Sequence, residues 1–141
     1  MKFQQQSVTI ATQTPTEAVD LTGQVRSFSE ACGIQSGFVS VASHHTTMGI
    51  VINERCEDLQ KDMQAFLKKI APPEAEYRHN RAAVDGRPNA HSHLLSLFIP
   101  SQVTVVVKDG KLQLGTWQSL FAIELDGPRP ERRVTMTVMG E

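Results

Sequence analysis

The histidines of this chain fall into three groups, and an imidazole can bind a metal ion or transfer a proton near neutral pH. His44 and His45 are adjacent, His79 stands alone, and His91 and His93 are separated by one serine. Adjacent strand residues point to opposite faces, and residues two apart on a helix are rotated by about 200°. We therefore expect one histidine from each group to face a common site.

Three imidazoles supplied by separate elements suit a divalent metal site with three protein ligands and one open position, as in zinc enzymes. The spacing matches no recognised zinc motif, so ordinary solvated histidines are the alternative. Glu54 ends an apolar strand and Asp62 borders the apolar face of a predicted helix. Either carboxylate is a candidate general base or a ligand for a hard cation such as Mg²⁺, the alternative being two surface acids.

The segment DGPRPERR, residues 126–133, places three arginines in a bend rich in glycine and proline. Arginine binds phosphate through two parallel hydrogen bonds, so Arg129 is a candidate phosphate ligand, while a turn with solvated arginines is the alternative. Gln118 follows the only tryptophan, Trp117, in a predicted strand. We interpret Trp117 as a core or interface anchor, with a substrate platform as the alternative, and Gln118 as a residue that either hydrogen-bonds an inward-facing site or lies outside it.

Length and composition predict one domain, residues 1–141, with 40% hydrophobic and 21% charged residues. The net charge of -1 provides no overall electrostatic attraction to nucleic acid or to an anionic membrane. The longest apolar runs are far shorter than the roughly 18 residues that a membrane span requires. The start of the sequence lacks the apolar stretch of a signal peptide, and two cysteines do not form a disulfide framework. We therefore expect a cytoplasmic protein with reduced thiols.

Hydrophobic periodicity predicts the elements that would position these residues. Alternating or β-branched runs predict strands over 2–12, 37–43, 47–54 and 131–140, and a hairpin over 103–125 that turns at residues 108–111. A helix is predicted from a Thr22 cap to Gly33, a second over 58–71, and a short third within 91–100. The polar segment 72–90 between helices is predicted to be a long functional loop. This pattern indicates an α+β domain with two or three helices on a largely antiparallel sheet or pair of sheets.

Several longer stretches occur in a familiar order: HHTT, INERCEDLQKDMQAFL, YRH, NAHSHL, VVVKDGKLQLGTWQSLFAIELDGPR and a terminal MGE. With these stretches the chain resembles the YjbQ family from about residue 3 to residue 141. The resemblance implies a distorted antiparallel β-sandwich with two or three helices that assembles as a homotrimer. It also implies a weak thiamine-phosphate synthase activity, which some members have been credited with.

The family's polar set can be placed on this sequence position by position: His45, Thr46, Asn53, Glu54, Asp62, His79, His93 and Gln118. This set contains one histidine from each group and leaves His44 and His91 outside. Pro100 stands where the family pattern leads us to expect a glycine. The candidate roles are catalytic for His45, Glu54, Asp62 and His93, substrate-binding for Thr46, Asn53, Gln118 and Arg129, and metal-binding for His45, His79 and His93.

Three hypotheses follow for the function. The first is an enzyme that joins a pyrimidine diphosphate to a thiazole phosphate, a reaction that needs cations to stabilise the departing diphosphate. The second is a metal-dependent enzyme such as a hydrolase, in which three histidines hold the ion and Glu54 activates its water. The third is a trimeric module that binds a small anion or a metal without catalysis.

Overall fold

The computed structural model describes residues 1–141 as two antiparallel sheets, three α-helices and one short 3₁₀-helix. The strands are β1 (Lys2–Ile10), β2 (Glu17–Asp20), β3 (Ser36–Ser43), β4 (Met48–Asn53), β5 (Gln102–Lys108), β6 (Lys111–Leu112), β7 (Ser119–Glu124) and β8 (Arg132–Gly140). The helices are α1 (Thr22–Cys32), α2 (Glu57–Ile70) and α3 (Ala90–Leu95), with the 3₁₀-helix at Arg78–Arg81. The predicted α+β fold with a sandwich-like pair of sheets is confirmed.

The first sheet has the strand order β1-β8-β3-β5-β6, and the second has the order β2-β7-β4. Between the sheets lies the main core, where Val39 and Val138 of the first sheet face Ile50 and Leu120 of the second. Helix α1 joins this core through Val25. The opposite face of the second sheet packs beneath α2 and α3, so strand β7 is covered on both sides. This double cover explains why β7 is a continuous apolar run instead of an alternating one.

The helix predictions are confirmed in position. Helix α2 spans fourteen residues, and α1 ends at Gly33, whose φ of 64° is the left-handed conformation common after a helix C-terminus. The prediction that Thr22 caps α1 is wrong, because Leu21 holds the cap position and its side chain makes no cap bond. The Thr22 hydroxyl instead accepts a hydrogen bond from the backbone N–H of Leu120 at 2.9 Å. That contact joins the start of α1 to β7. None of the helices is both long and apolar enough to cross a lipid bilayer.

The turn of the predicted hairpin is confirmed at Asp109 and Gly110, whose φ angles of 53° and 70° are those of a tight two-residue turn. The hairpin does not extend to residue 125, because only Lys111–Leu112 pairs with β5 and β7 pairs with β2 and β4 in the other sheet. The placement of Trp117 and Gln118 in a strand is wrong. They lie in the turn that carries the chain from the first sheet to the second, where Gln118 Oε1 accepts a hydrogen bond from the N–H of Gly115 at 2.7 Å. Trp117 is 74% exposed, so it is not a core residue of the single chain.

The strands predicted over 37–43 and 47–54 are confirmed as β3 and β4, but the expectation that His44 and His45 themselves lie on a strand is wrong. Strand β3 pairs with β5 and β8, whereas β4 pairs with β7 in the other sheet. The HHTT segment is therefore the loop that crosses between the two sheets. Its backbone is held by hydrogen bonds to other segments: the His44 N–H donates to the Arg133 carbonyl of β8 at 3.3 Å, and the Thr47 carbonyl accepts from the Leu125 N–H, just after β7, at 3.0 Å.

Candidate functional site

A buried ion pair closes the end of the main core beside this loop. The side chains of Glu124 and Arg132 are 0% and 4% exposed, and Arg132 donates to the carboxylate from Nη2 at 2.5 Å and from Nε at 2.7 Å. Thr12 donates to the same carboxylate at 2.8 Å, and Arg132 also donates to Thr47 Oγ1 at 2.9 Å. Burial alone would raise the pKa of Glu124, but these hydrogen bonds outweigh it and the pKa lies below its ordinary value. The carboxylate is therefore ionised in the folded protein.

Asp126 lies two residues further along the chain and gathers a second set of donors. Arg129 donates to Oδ2 at 2.7 Å, Arg87 donates to Oδ1 at 3.1 Å, and Asn89 donates to Oδ2 at 2.8 Å. Burial would raise the pKa of Asp126, yet the bonds from Asn89, Arg129 and Arg87 lower it below its ordinary value. Both arginines use Nε and Nη2 in these contacts, so Nη1 of each partly exposed guanidinium makes no hydrogen bond within the protein.

His79 is connected to Asp126 through Asn89. The Asn89 amide donates to Asp126, so its Oδ1 faces His79 Nε2 at 3.0 Å as an acceptor. His79 Nε2 must then carry a proton, which leaves Nδ1 as the nitrogen with a free lone pair in the neutral ring. The ring of His93 lies edge-on to that of His79, with the ring centroids 4.9 Å apart. The structure thus brings together two of the three predicted histidines.

His45 is held differently. Its Nε2 accepts a hydrogen bond from the backbone N–H of Arg133 at 2.7 Å, so the proton of the neutral ring is on Nδ1. Burial and the positive charge of Arg132 lower the pKa of His45, which favours this neutral form. In this arrangement Nε2 is occupied by a backbone donor and Nδ1 is protonated. His44 contacts the Thr135 hydroxyl through Nε2 at 2.6 Å.

The other predicted site residues lie at two opposite ends of the second sheet. Met48 of β4 pairs with Glu124 of β7, whereas Asn53 pairs with Ser119 at the far end. Five residue steps of about 3.3 Å separate these ends by roughly 17 Å. Thr46 and Arg129 lie near the Glu124 end, while Asn53, Glu54 and Gln118 lie near the Ser119 end. Glu54 and Asp62 are both exposed and neither forms an ion pair.

No group of three His, Cys, Asp or Glu side chains within one chain is placed to hold a metal ion. A zinc or magnesium site built on His45, His79 and His93 is thus not formed by the residues of a single chain in this arrangement. The histidine pair provides two imidazoles, so a bound ion would need a further ligand. The role of these histidines as metal ligands stays a prediction.

The residues that organise this region were not predicted as a set from the sequence: Arg87, Asn89, Glu124, Asp126 and Arg132. One signal was available: Glu124 and Asp126 follow a run of apolar residues in β7, where a charged side chain requires a partner. The bend at 126–133 was noted for its arginines, but nothing local shows which acids they contact. Arg87 and Asn89 are 39 and 37 residues away from Asp126 in sequence.

A cleft of about 670 Å³ opens on the other side of Asp126, between α2, α3 and the connection from β1 to β2. Its polar lining includes Lys61, Gln64 and Lys68 of α2 together with His91 of α3. Burial lowers the pKa of His91. The candidate functional site is therefore a polar region at one end of the second sheet. One part consists of Arg87 and Arg129, which bind Asp126, together with the pair His79 and His93, and the cleft lies next to it.

These features define an α+β protein of two packed antiparallel sheets with a buried charged network at one end. The chain belongs to the family described as UPF0047 protein YjbQ-like, whose family model matches residues 6–141. It is 39% identical to a UPF0047 protein of Methanothermobacter thermautotrophicus over 141 residues, which cover 100% of this chain and 95% of the relative. It is 38% identical to the UPF0047 protein YugU of Bacillus subtilis over 115 residues, covering 80% of this chain and 83% of the relative.

Solved structures show the same fold. A YbjQ-like protein of unknown function from Sulfolobus solfataricus superposes with a TM-score of 0.94 at 36% identity, covering 99% of both chains. A hypothetical protein from Aeropyrum pernix superposes with a TM-score of 0.91 at 33% identity, covering 98% of this chain and 99% of the other. The family membership predicted from the sequence motifs is confirmed, and the family itself is one of uncharacterised function.

Proposed function

We propose that the protein binds a small phosphorylated molecule and catalyses a transfer of the thiamine-phosphate synthase kind. In that reaction the nitrogen of a thiazole phosphate forms a bond to the methylene carbon of a pyrimidine diphosphate. The carbon–oxygen bond to the diphosphate breaks, and pyrophosphate leaves with the bonding electrons. The observation that supports this proposal is the pair of arginines, Arg87 and Arg129, held side by side on the buried carboxylate of Asp126.

A departing diphosphate develops negative charge, and cations that are already in position stabilise it without reorganisation. Asp126 orients both guanidinium groups, so little side-chain entropy remains to be lost when phosphate binds. The Nη1 groups are the donors that remain for the ligand. Asn89 connects Asp126 to the histidine pair, which places an imidazole with a free Nδ1 in the same network.

The histidine pair favours a second candidate, a metal-dependent enzyme such as a hydrolase. His79 and His93 would supply two ligands to a zinc or magnesium ion, and the ion would polarise a phosphoryl oxygen or activate water. The remaining ligand would come from a third group, because the pair by itself does not complete a site. Metal analysis of protein purified without a histidine tag tests this candidate: near-stoichiometric zinc or another divalent metal supports it.

Calorimetric titration with pyrophosphate tests the first proposal. We expect the wild type to bind pyrophosphate and both Arg87→Gln and Arg129→Gln to weaken binding by about tenfold or more, since each removes a charged donor. Arg26→Gln is the matched control, because Arg26 is an exposed arginine of α1 with no ion pair. A parallel assay follows pyrophosphate release from the two phosphorylated substrates. Binding without turnover would indicate an anion-binding module, and no binding by the wild type would overturn the proposal.

A further inference from the structure

The long polar segment between α2 and α3 is fixed at both ends but has no apolar anchor between them. Ala71 and Asn89, which flank it, are only 5% and 3% exposed. No residue from 72 to 88 is buried, and none belongs to either cluster of the hydrophobic core. We call residues 72–88 the strap. A segment with so few buried contacts can open at a lower free energy than the whole domain needs to unfold.

Hydrogen bonds join the strap to the rest of the chain at two places. In its middle, the 3₁₀-helix contacts the start of α3, where Asn80 Oδ1 accepts from the Ala90 N–H at 3.0 Å. Near its end, Arg87 donates to Asp126 Oδ1 from Nε at 3.3 Å and from Nη2 at 3.1 Å, and to the Asp126 carbonyl at 3.1 Å. These bonds of Arg87 are the only ones that join the strap to a residue outside 71–90. The Arg87–Asp126 ion pair therefore holds the strap on the two packed sheets.

The strap carries one member of each pair in the candidate site. Its His79 meets His93 of α3, with the ring centroids 4.9 Å apart. Its Arg87 meets Arg129 on the carboxylate of Asp126. Both pairs are therefore assembled only while the strap lies against the rest of the domain.

We infer that the strap is a gate that opens as one unit and is held closed by the ion pair between Arg87 and Asp126. Closure assembles the histidine pair and the arginine pair, and opening separates both pairs and frees the way to the site. Loops that open and close in this manner control ligand entry and release in many enzymes. The inference does not depend on the proposed transferase activity, because the opening is a property of the protein without ligand.

Hydrogen exchange of single backbone amides, followed by NMR in the ligand-free protein, measures the opening. The N–H groups of Asn80, Ala82 and Gly86 donate to carbonyls within the strap, so they are protected while it is closed. If the strap opens as one unit, these three amides should exchange with one common opening constant. That constant should exceed the opening constant of the β7 amides by about tenfold or more, because β7 lies in the core and opens only with the domain.

Two variants identify the contact that holds the strap. Arg87→Gln should raise the opening constant of all three amides by about tenfold or more, because a neutral side chain cannot replace the charge-assisted bonds. Arg129→Gln is the matched control: it also removes one arginine from Asp126, but Arg129 lies outside the strap, so the three amides should exchange as in the wild type.

Two results for the variants would overturn the inference: an unchanged opening constant in Arg87→Gln, or an equal rise in Arg129→Gln. The wild type provides a test that does not require either variant to fold. Three unequal opening constants for Asn80, Ala82 and Gly86, or constants equal to that of β7, would show that the strap does not open as a unit and would likewise overturn the inference.

Discussion

Oδ1 of Asn89 lies 3.0 Å from Nε2 of His79, while the amide nitrogen of the same asparagine donates to Asp126 at 2.8 Å. The asparagine thereby sets both the ring orientation and the protonated nitrogen of His79. Hydrogen-bond partners of this kind strengthen a metal ligand or a catalytic imidazole by fixing which nitrogen is free. Asn89 is therefore expected to act through His79 without touching a ligand.

The first prediction concerns Asn89→Ala. If His79 and His93 hold a divalent ion, removing the amide should lower zinc affinity by about 10–100-fold, the usual effect of losing such a partner. Zinc titration by calorimetry measures the change. His44→Ala serves as the control, since His44 lies outside the pair and should leave the affinity unaltered. An unchanged zinc affinity in the Asn89 variant would show that the asparagine has only a structural role.

The second prediction concerns the buried ion pair. Glu124→Gln keeps the size of the side chain but leaves the positive charge of Arg132 buried without a partner. We expect a loss of about 3–5 kcal/mol in the free energy of unfolding, measured by urea denaturation. Glu131→Gln is the exposed control and should change stability by less than about 0.5 kcal/mol. Similar small effects in both variants would mean that solvent reaches Arg132.

The third prediction concerns pH. The folded-state pKa values of Glu124 and Asp126 lie below their ordinary values of 4.5 and 3.8. The folded protein then binds fewer protons than the unfolded chain in this range, so stability rises with pH there. The stability that the ionised carboxylates of Glu124 and Asp126 contribute should be complete above about pH 5. It should be lost as the pH falls from about 4.5 through the folded-state pKa values of the two groups. Urea denaturation between pH 3 and 7 measures it. Asp126→Asn should flatten the acid slope, whereas Asp109→Asn in the exposed turn should keep it.

The fourth prediction concerns assembly. Phe3, Phe38, Val106 and Met139 lie in one row across four neighbouring strands on the exposed face of the first sheet. Such an apolar row favours association with another surface. We expect a homotrimer, with a mass by light scattering near three times the 15.6 kDa chain. Phe38→Ser should lower that mass if the row is covered, and Thr104→Lys in the adjacent polar row should not. A monomer mass for the wild type at micromolar concentration would contradict the prediction.

The fifth prediction concerns Glu54 and His93, which lie near opposite ends of the second sheet. Glu54 and His93 are candidates for one site, yet Glu54 lies beyond the Ser119 end of the sheet, far from the histidine pair, within one chain. If they act together, neighbouring copies must each supply one end. Glu54→Ala and His93→Ala should each abolish activity, and trimers mixed from equal amounts should recover about a quarter of it, because one interface in four then contains both intact residues. No recovery on mixing would place the two residues in separate roles.

Local patterns in the sequence predicted much of the secondary structure. The apolar stripe of α2, the glycine after α1 and the Asp109–Gly110 turn depend on neighbouring residues, and each was found where it was predicted. The family motifs are likewise recognisable from the order of residues alone. The short helix that carries His91 and His93 was also predicted, and it directs the His93 ring to His79 while His91 lines the cleft.

Only the tertiary structure decided which polar residues meet. Arg132 reaches Glu124 across the connection from β7 to β8, which belong to different sheets, and it also contacts Thr47, 85 residues earlier, so no window of sequence could reveal the set. The predictions that Thr22 caps α1 and that Trp117 lies in a strand were wrong for the same reason. The surroundings of both residues depend on how the chain connects the two sheets. Hydrophobic periodicity reports which face of an element is buried, whereas the partner of a buried charge depends on the packing of distant segments.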